Sequence, residues 1–120
     1  MTILDQEFTD LPTPSGLMRT HVFRPAAAGV YPGIALFSEI FHVTGPIRRT
    51  AAFLAAQGFI VAVPEIFHEF EPLGKVLAYD TEGTDRGNWC KVNKPLAAYD
   101  ADTRALIEFL QKHPLCTGRL

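Results

Sequence analysis

The strongest constraint on the fold is a short apolar segment, Gly33–Phe37, that ends abruptly at polar residues. It is too short for a helix, and the turn-forming residues Thr44–Pro46 follow soon after, so it predicts a strand buried on both faces. A second apolar run, Phe59–Val63, predicts another buried strand. The tetrapeptide Glu-Ile-Phe-His follows both runs, at Glu39–His42 and Glu65–His68. Two strands are therefore expected to deliver the same side chains to one edge of a sheet.

A helix is predicted between these two strands. Thr44 fits the N-cap, Pro46 the first turn, where its missing N–H costs nothing, and Gly58 the position just past the end. Apolar residues recur at helical spacing on one face, namely Ile47, Ala51, Leu54 and Ala55. A strand, a helix and a strand with short connections form a right-handed parallel crossover. Ligands bind beyond the carboxyl ends of such strands, where both tetrapeptides lie.

The rest of the chain predicts a hairpin, an irregular loop and a second helix. The hairpin joins Ile3–Phe8 to Arg19–Arg24 through a turn rich in proline and glycine. Residues 65–93 show no sustained period, which is typical of a long functional or disordered loop. A helix then begins at Lys94-Pro95 and ends before Pro114. Its predicted apolar face comprises Leu96, Tyr99, Thr103, Leu106, Ile107 and Leu110.

Composition argues against several classes of protein. A chain of 120 residues is one domain at most, and its net charge of −2 gives no sign of the basic surface that nucleic-acid binding requires. No apolar run approaches the length of a membrane span, and Met1–Asp10 does not have the pattern of a signal peptide. Two cysteines do not form a disulfide framework, so a reducing cytoplasm is the expected compartment.

Four sequence blocks resemble the amino-terminal half of the dienelactone hydrolase family, within the α/β-hydrolases. They are Phe23–Pro25, Tyr31–Phe41, Ile47–Arg49 and Leu54–Pro64, and their order and spacing also match. The resemblance implies an α/β fold with a mostly parallel sheet flanked by helices. It also implies hydrolysis of a small lactone or carboxylic ester by a Cys (or Ser), His and Asp triad, with no cofactor.

The resemblance implies that residues 1–120 are the amino-terminal portion of a single α/β-hydrolase domain, ending before the strand that carries the nucleophile. No Gly-x-Ser-x-Gly or Gly-x-Cys-x-Gly sequence is present. The strained nucleophile turn requires small neighbours on both sides. Ser15 lies in the first turn, Ser38 is followed by Glu39 and Cys90 lies in the irregular segment, while Cys116 has Gly118 two residues on but Pro114 at the earlier glycine position. We therefore expect no nucleophile in this chain and no hydrolysis by these residues alone.

Two groups are expected to act directly on the reaction. In α/β-hydrolases one oxyanion donor comes from the loop after the third strand, and by resemblance it is the backbone N–H of Ile40. Glu39 matches a family glutamate that lies beside the nucleophile and helps to control its ionisation. Apolar walls from Ile40 and Phe41 would raise the pKa of such a carboxyl group. Judged by spacing alone, Glu39 fits a helix cap or a solvated position equally well.

Five further residues are candidates for binding substrate. His42 and His68 follow the predicted strands and could line the mouth of the site, although histidines at strand ends are commonly structural. Tyr79, Arg86 and Trp89 lie where the family has residues that receive an anionic substrate. Arginine pairs with carboxylates through two parallel hydrogen bonds, and tryptophan can wall a pocket. A solvated loop arginine and a tryptophan that covers the core fit these positions as well.

Two other functions remain open at this stage. Glu39, His42, Glu65 and His68 would form a set of two imidazoles and two carboxylates suited to zinc or iron, if the two strand ends are neighbours. Alternatively, half of a sheet would expose a strand edge, and such edges recruit other strands. The chain would then self-associate or pair with a carboxy-terminal half as a non-catalytic module.

Overall fold

A four-stranded sheet with the order β1-β2-β4-β3 forms the centre of the computed structural model, which describes all 120 residues. The strands are β1 (Ile3–Thr13), β2 (Gly16–Pro25), β3 (Gly33–Ala35) and β4 (Ile60–Pro64). The helices are α1 (Gly45–Ala56), α2 (Thr81–Asn93) and α3 (Leu96–Lys112). None of the helices is both long and apolar enough to cross a lipid bilayer.

The strand pairing is mixed within these residues. β1 pairs with β2 in the predicted antiparallel hairpin, and β2 pairs antiparallel with β4. β3 pairs parallel with β4, in a register that places Ile34 beside Val61. The predicted strand, helix and strand crossover is therefore confirmed, as is the α/β fold. The carboxyl ends of β3 and β4 meet at one edge of the sheet.

Side chains alternate between two apolar layers along the buried strands. Val61 and Val63 of β4 pack with Phe23 against α1, whereas Ile60 and Ala62 pack on the opposite face against α3. Burying one such valine or isoleucine contributes about 1.5–3 kcal/mol to stability. The sheet is thus packed between α1 on one face and α3 on the other. This packing fixes the directions of the loops after β3 and β4.

The structure corrects the prediction of an irregular segment at residues 65–93, because Thr81–Asn93 form α2. Its N-cap is Asp80, whose carboxylate accepts a hydrogen bond of 2.7 Å from the N–H of Gly83. The helix lacks a sustained apolar stripe because its inward positions are Gly83, Gly87 and Cys90. Small residues at these positions let α2 pack closely against Ala78 and Ile40. Because they are not large apolar residues, the sequence lacks the periodic apolar pattern that predicts a helix.

The predicted apolar face of the last helix is correct only in part. Leu106 and Leu110 are fully buried, but Leu96 is 77% exposed and Ile107 also faces solvent. Asp102 is 1% exposed and shares the stripe of these two leucines, since the three residues are spaced by four. The carboxylate of Asp102 thus occupies a core position, although an aspartate in a helix is expected to face solvent.

The outer edge of β3 is partly covered by the last residues of the chain. Tyr31 bridges Cys116 in the parallel direction, and the N–H of Gly33 donates to the carbonyl of Arg119 over 2.7 Å. The side chain of Leu120 packs close to Gly33. Beyond Gly33 this edge has no strand partner in the sheet. Residues 115–119 therefore run beside β3, toward the end that carries Glu39.

Candidate active site

A groove of about 330 Å³ opens at the carboxyl ends of β3 and β4. Its first wall is the loop Phe37–Ile40, which follows β3, and its second wall is formed by Ile66 and Phe67, which follow β4. The helices contribute Lys91, Tyr99 and Thr103. Three clefts have larger volumes: two, of about 430 and 470 Å³, lie beneath the β1–β2 hairpin around His113, and one of about 380 Å³ lies between Glu71 and Arg86. None of them includes a residue that follows β3 or β4 directly. The groove therefore coincides with the ligand position expected for this class of sheet.

The loop after β3 presents a free backbone donor. The N–H of Ile40 donates no hydrogen bond to any acceptor in the chain, and neither do those of Ser38, Glu39 and Phe41. The carbonyl oxygen of Ile40 lies against α2, where a Cβ added at Gly87 would be 2.7 Å from it. Only glycine fits at this contact, so α2 fixes the position of the loop. Oxyanion donors in hydrolases are free N–H groups of this kind beside the reacting carbonyl.

Glu39 lies at the rim of this groove. Its side chain is exposed and forms no ion pair with any residue of the chain. The structure thus places the carboxylate beside the groove. These 120 residues do not form the apolar enclosure that was expected around it.

His42 is buried within a hydrogen-bond network of the backbone. Its Nδ1 donates to the carbonyl of Lys75 over 2.9 Å, and its Nε2 accepts from the N–H of Phe67 over 3.0 Å. Both ring nitrogens are therefore occupied, and the ring must be neutral with its proton on Nδ1. The predicted contact of His42 with substrate is not supported by this geometry, because the side chain is 1% exposed and faces no groove.

We expect the protein to lose stability as the pH falls below about 6.5, in part through His42. Burial lowers the pKa of His42 below its ordinary value of 6.5, and the Lys75 carbonyl only partly opposes this effect. As the pH falls through this window, the unfolded chain binds the additional proton first, so the free energy of unfolding decreases. Urea unfolding at pH 7.5 and pH 5.0 measures the decrease. A His42→Gln variant should show a smaller decrease than the wild type, and equal decreases would contradict this role.

His68 belongs to a buried cluster of charged groups. Its Nε2 lies 3.0 Å from Asp102 Oδ1 and 3.3 Å from Glu69 Oε2. The ammonium group of Lys94 contacts Asp102 and donates to the carbonyl of Ile66, and it lies 3.0 Å from Glu69 Oε2. Burial alone would raise the pKa of Asp102, but the hydrogen bonds from His68 and Lys94 outweigh it and lower that pKa. His68 thus supports the core beneath the groove instead of lining its mouth.

The four residues of the predicted metal set do not converge. Glu65 accepts from His21 Nε2 and from the N–H of Gly74, both at 2.7 Å, while His42 and His68 are engaged as described and Glu39 faces solvent. A different group, His68, Glu69 and Asp102, has its ligand atoms within 4.8 Å of one another. The ammonium group of Lys94 provides the positive charge among these oxygens. The prediction that the two tetrapeptides share one metal ion is wrong.

Tyr79, Arg86 and Trp89 lie outside the groove. The hydroxyl of Tyr79 donates to Thr44 Oγ1 over 2.8 Å. Thr44 is the N-cap residue of α1, as predicted, but its side chain makes no capping hydrogen bond. Arg86 pairs with Glu71, donates to the carbonyl of Phe70 and stacks 4.8 Å from the ring of Trp89. The guanidinium group is therefore committed to partners within the chain. None of the three residues lies on the two walls described above.

Neither cysteine has the surroundings of a nucleophile. Cys90 is fully buried, and burial raises the pKa of its thiol, with the Glu71 carboxylate 3.7 Å away. Cys116 lies beside Gly33 in the core layer under α3. The reactive form of cysteine is the thiolate, which the burial of Cys90 disfavours.

Sequence reasoning missed three residues that shape the site: Gly87, Lys94 and Asp102. The spacing of Asp102 with Leu106 and Leu110 was the one available signal for its burial. Gly87 and Lys94 offered no comparable signal, because glycine in an irregular stretch and lysine near a proline are typical of surface loops.

Comparison with known proteins places the chain in a family. The sequence profile of the dienelactone hydrolase family matches residues 18–120. A Saccharomyces cerevisiae protein named "Putative carboxymethylenebutenolidase" is 38% identical over an alignment of 123 positions, which covers 98% of this chain and 44% of the yeast protein. A Synechocystis protein of the same name is 30% identical over 78% of this chain and 38% of its own length. The chain thus spans less than half the length of these relatives.

Solved structures agree at the level of the fold. A Klebsiella pneumoniae protein described as a "Putative Dienelactone Hydrolase" superposes with a TM-score of 0.76 at 24% identity, over 94% of this chain and 45% of that one. The dienelactone hydrolase-like promiscuous phosphotriesterase P91, from metagenomic libraries, gives a TM-score of 0.71 at 17% identity, over 98% of this chain and 46% of its own. With the profile match across most of its length, this chain belongs to the dienelactone hydrolase family.

Proposed function

We propose that these residues form the amino-terminal part of an enzyme that hydrolyses a lactone or a carboxylic ester. The observation that carries the proposal is the groove at the carboxyl ends of β3 and β4, with the free N–H of Ile40 on one wall. The butenolidase name of the relatives supports a small lactone or ester as substrate. The resemblance to the family adds no requirement for a cofactor.

The groove suits an acyl group that is mainly apolar. Phe37, Ile40, Ile66 and Phe67 line it, and Ile40 packs against the cluster that contains Ile66 and Phe67, so an alkyl or aryl substituent would leave water on entering. The Ile40 N–H would then donate to the carbonyl oxygen as it gains negative charge during attack. Removing one donor of this kind costs about 100- to 1,000-fold in kcat in other hydrolases.

The attacking group would come from chain that follows Leu120. Residues 115–119 already run parallel to β3, and a strand continuing in that direction would reach the end of β3 beside Ser38 and Glu39. The chain spans 44% of the yeast relative, which leaves room for a cysteine or serine nucleophile and its histidine and aspartate. Pairing of β3 with this continuing strand is favoured over pairing with a second copy, because residues 115–119 already lie at that edge.

Glu39 would act next to the nucleophile. It lies at the groove rim without a partner, so its carboxylate is free to exchange a proton with a neighbouring thiol or hydroxyl. The continuing strand would supply the enclosure that these residues lack.

Hydrolysis of p-nitrophenyl acetate tests the proposal. The complete enzyme should hydrolyse this ester, whereas residues 1–120 alone should not. In the complete enzyme, Glu39→Gln should reduce kcat/KM by about tenfold or more and change its dependence on pH, because a proton-transfer group contributes about 100- to 10,000-fold.

Glu108→Gln is the matched control, since Glu108 is an exposed carboxylate on α3 paired with Lys112. It should leave both the rate and the pH profile unchanged. An inactive complete enzyme would overturn the proposal. Cysteine- or serine-dependent turnover by residues 1–120 alone would show that the nucleophile lies elsewhere than proposed.

A further inference from the structure

The peptide group between Ile66 and Phe67 is held from both sides by buried ionisable side chains. Its carbonyl oxygen accepts a hydrogen bond from Lys94 Nζ, and its N–H donates to His42 Nε2 over 3.0 Å. Lys94 follows α2, whereas His42 ends the loop that follows β3. One peptide of the second groove wall is therefore clamped between a helix end and the opposite wall.

His42 connects three segments at this clamp. It is the only residue other than glycine with a positive φ, at 71°, which turns the chain sharply after Phe41. Its ring stacks on the ring of Phe67, with centroids 5.5 Å apart and planes 21° apart. Its Nδ1 donates to Lys75 in the loop that follows the second wall. A non-glycine residue held in this backbone region commonly marks a functional constraint.

The consequence is a fixed separation between the two walls. Phe37–Ile40 lie just before His42 in the chain, and Ile66–Phe67 carry the peptide that His42 binds. Any movement of the second wall away from the first breaks the bond to His42 or pulls the loop with it. The side chains of Ile66 and Phe67 thus stay at one distance from the Ile40 N–H.

We propose that His42 is a positioning residue that sets the width of the groove and thereby the size of acyl group that the enzyme accepts. The inference rests on the proposed hydrolase function and adds a determinant of specificity to it. His42 acts through the Ile66–Phe67 peptide and does not touch the substrate. A short acyl group stays near the Ile40 N–H, whereas a longer one must lie along the clamped wall. Loss of the clamp should therefore affect long acyl groups selectively.

Two variants of the complete enzyme separate the clamp from the other bonds of His42. Asparagine tolerates a positive φ and can still donate to Lys75, but it is too short to reach the Phe67 N–H. Glutamine offers an oxygen near the position of Nε2 and can accept from that N–H. His42→Asn removes the clamp, and His42→Gln retains it.

The first measurement compares kcat/KM for p-nitrophenyl hexanoate and p-nitrophenyl acetate. His42→Asn should lower the hexanoate-to-acetate ratio by about tenfold, the scale of discrimination in an apolar pocket, while His42→Gln should stay within about twofold of wild type. A purely structural role would lower both rates together by reducing the fraction of active enzyme. An unchanged ratio in His42→Asn would overturn the proposal.

The second measurement is hydrogen exchange at the Phe67 amide, which does not depend on catalysis. Exchange should be at least about tenfold faster in His42→Asn than in wild type or His42→Gln, because the amide opens more readily. Unchanged exchange in His42→Asn would show that His42 does not hold this peptide and would overturn the clamp. If the wild-type enzyme hydrolyses neither ester, the proposed function and the specificity role fail together, while the exchange rates still decide whether the clamp exists.

Discussion

Replacing Gly87 with alanine is expected to reduce kcat/KM of the complete enzyme for p-nitrophenyl acetate by about 100-fold, the scale associated with a displacement of about 1 Å. The added Cβ would lie 2.7 Å from the carbonyl oxygen of Ile40 and 2.9 Å from its Cβ. Contacts this short are not tolerated, and α2 is a regular helix, so the loop Phe37–Phe41 must move. The Ile40 N–H, which we propose as the oxyanion donor, moves with it and loses its alignment with the substrate carbonyl. Steady-state kinetics on folded, concentration-matched enzyme measure the effect.

Gly45→Ala provides the control for this change. A Cβ at Gly45 would approach only the end of the flexible Arg49 side chain, at 3.4 Å, and Gly45 lies in the first turn of α1. This variant should keep wild-type kinetics. Equal kcat/KM values for Gly87→Ala and wild type would show that the position of Ile40 does not matter for the reaction.

Replacing Lys94 with methionine is expected to lower the free energy of unfolding by about 3–5 kcal/mol at pH 7, as found when one partner of a buried ion pair is removed. The side chains of Lys94 and Asp102 are both fully buried. Without the ammonium group, Asp102 and Glu69 lose their positive partner, and the Ile66 carbonyl loses its donor. Denaturant unfolding monitored by circular dichroism measures the loss.

Two further variants make this result specific. Lys112→Met removes an exposed lysine that pairs with Glu108 on the same helix, and it should cost less than about 0.5 kcal/mol. Adding Asp102→Asn to Lys94→Met should restore part of the lost stability, because the uncompensated carboxylate is then neutral. A Lys94→Met variant within about 1 kcal/mol of wild type would contradict a structural role for the buried pair.

The buried strands were predictable because their signal is local. Contiguous apolar residues such as Ile60–Val63, flanked by glycine and proline, indicate a strand covered on both faces whatever the rest of the chain does. The carboxyl ends of β3 and β4, and with them the position of Glu39 and Ile40, follow from the parallel crossover. The location of the groove could therefore be predicted without coordinates.

The roles of the histidines could not be predicted, because they depend on partners distant in sequence. His42 binds Phe67 and Lys75, and His68 meets Asp102 in the last helix. No local pattern around either histidine specifies these contacts. The two Glu-Ile-Phe-His tetrapeptides look equivalent in the sequence, yet one histidine clamps a peptide group and the other supports a buried charge cluster. The sequence identified histidines and carboxylates as candidate site residues. Only the tertiary contacts show which of these side chains line the groove and which are buried beneath it.

A crystal structure of the complete enzyme acylated by a β-lactone tests the central claim most directly. A β-lactone opens on either a cysteine or a serine nucleophile and leaves an acyl-enzyme whose carbonyl oxygen reports the oxyanion site. We predict that this oxygen lies about 2.7–3.1 Å from the backbone nitrogen of Ile40. The acyl chain should lie along Ile66 and Phe67, with the Glu39 carboxylate beside the nucleophile. An acyl group bound away from this groove, with the Ile40 N–H facing elsewhere, would contradict the account.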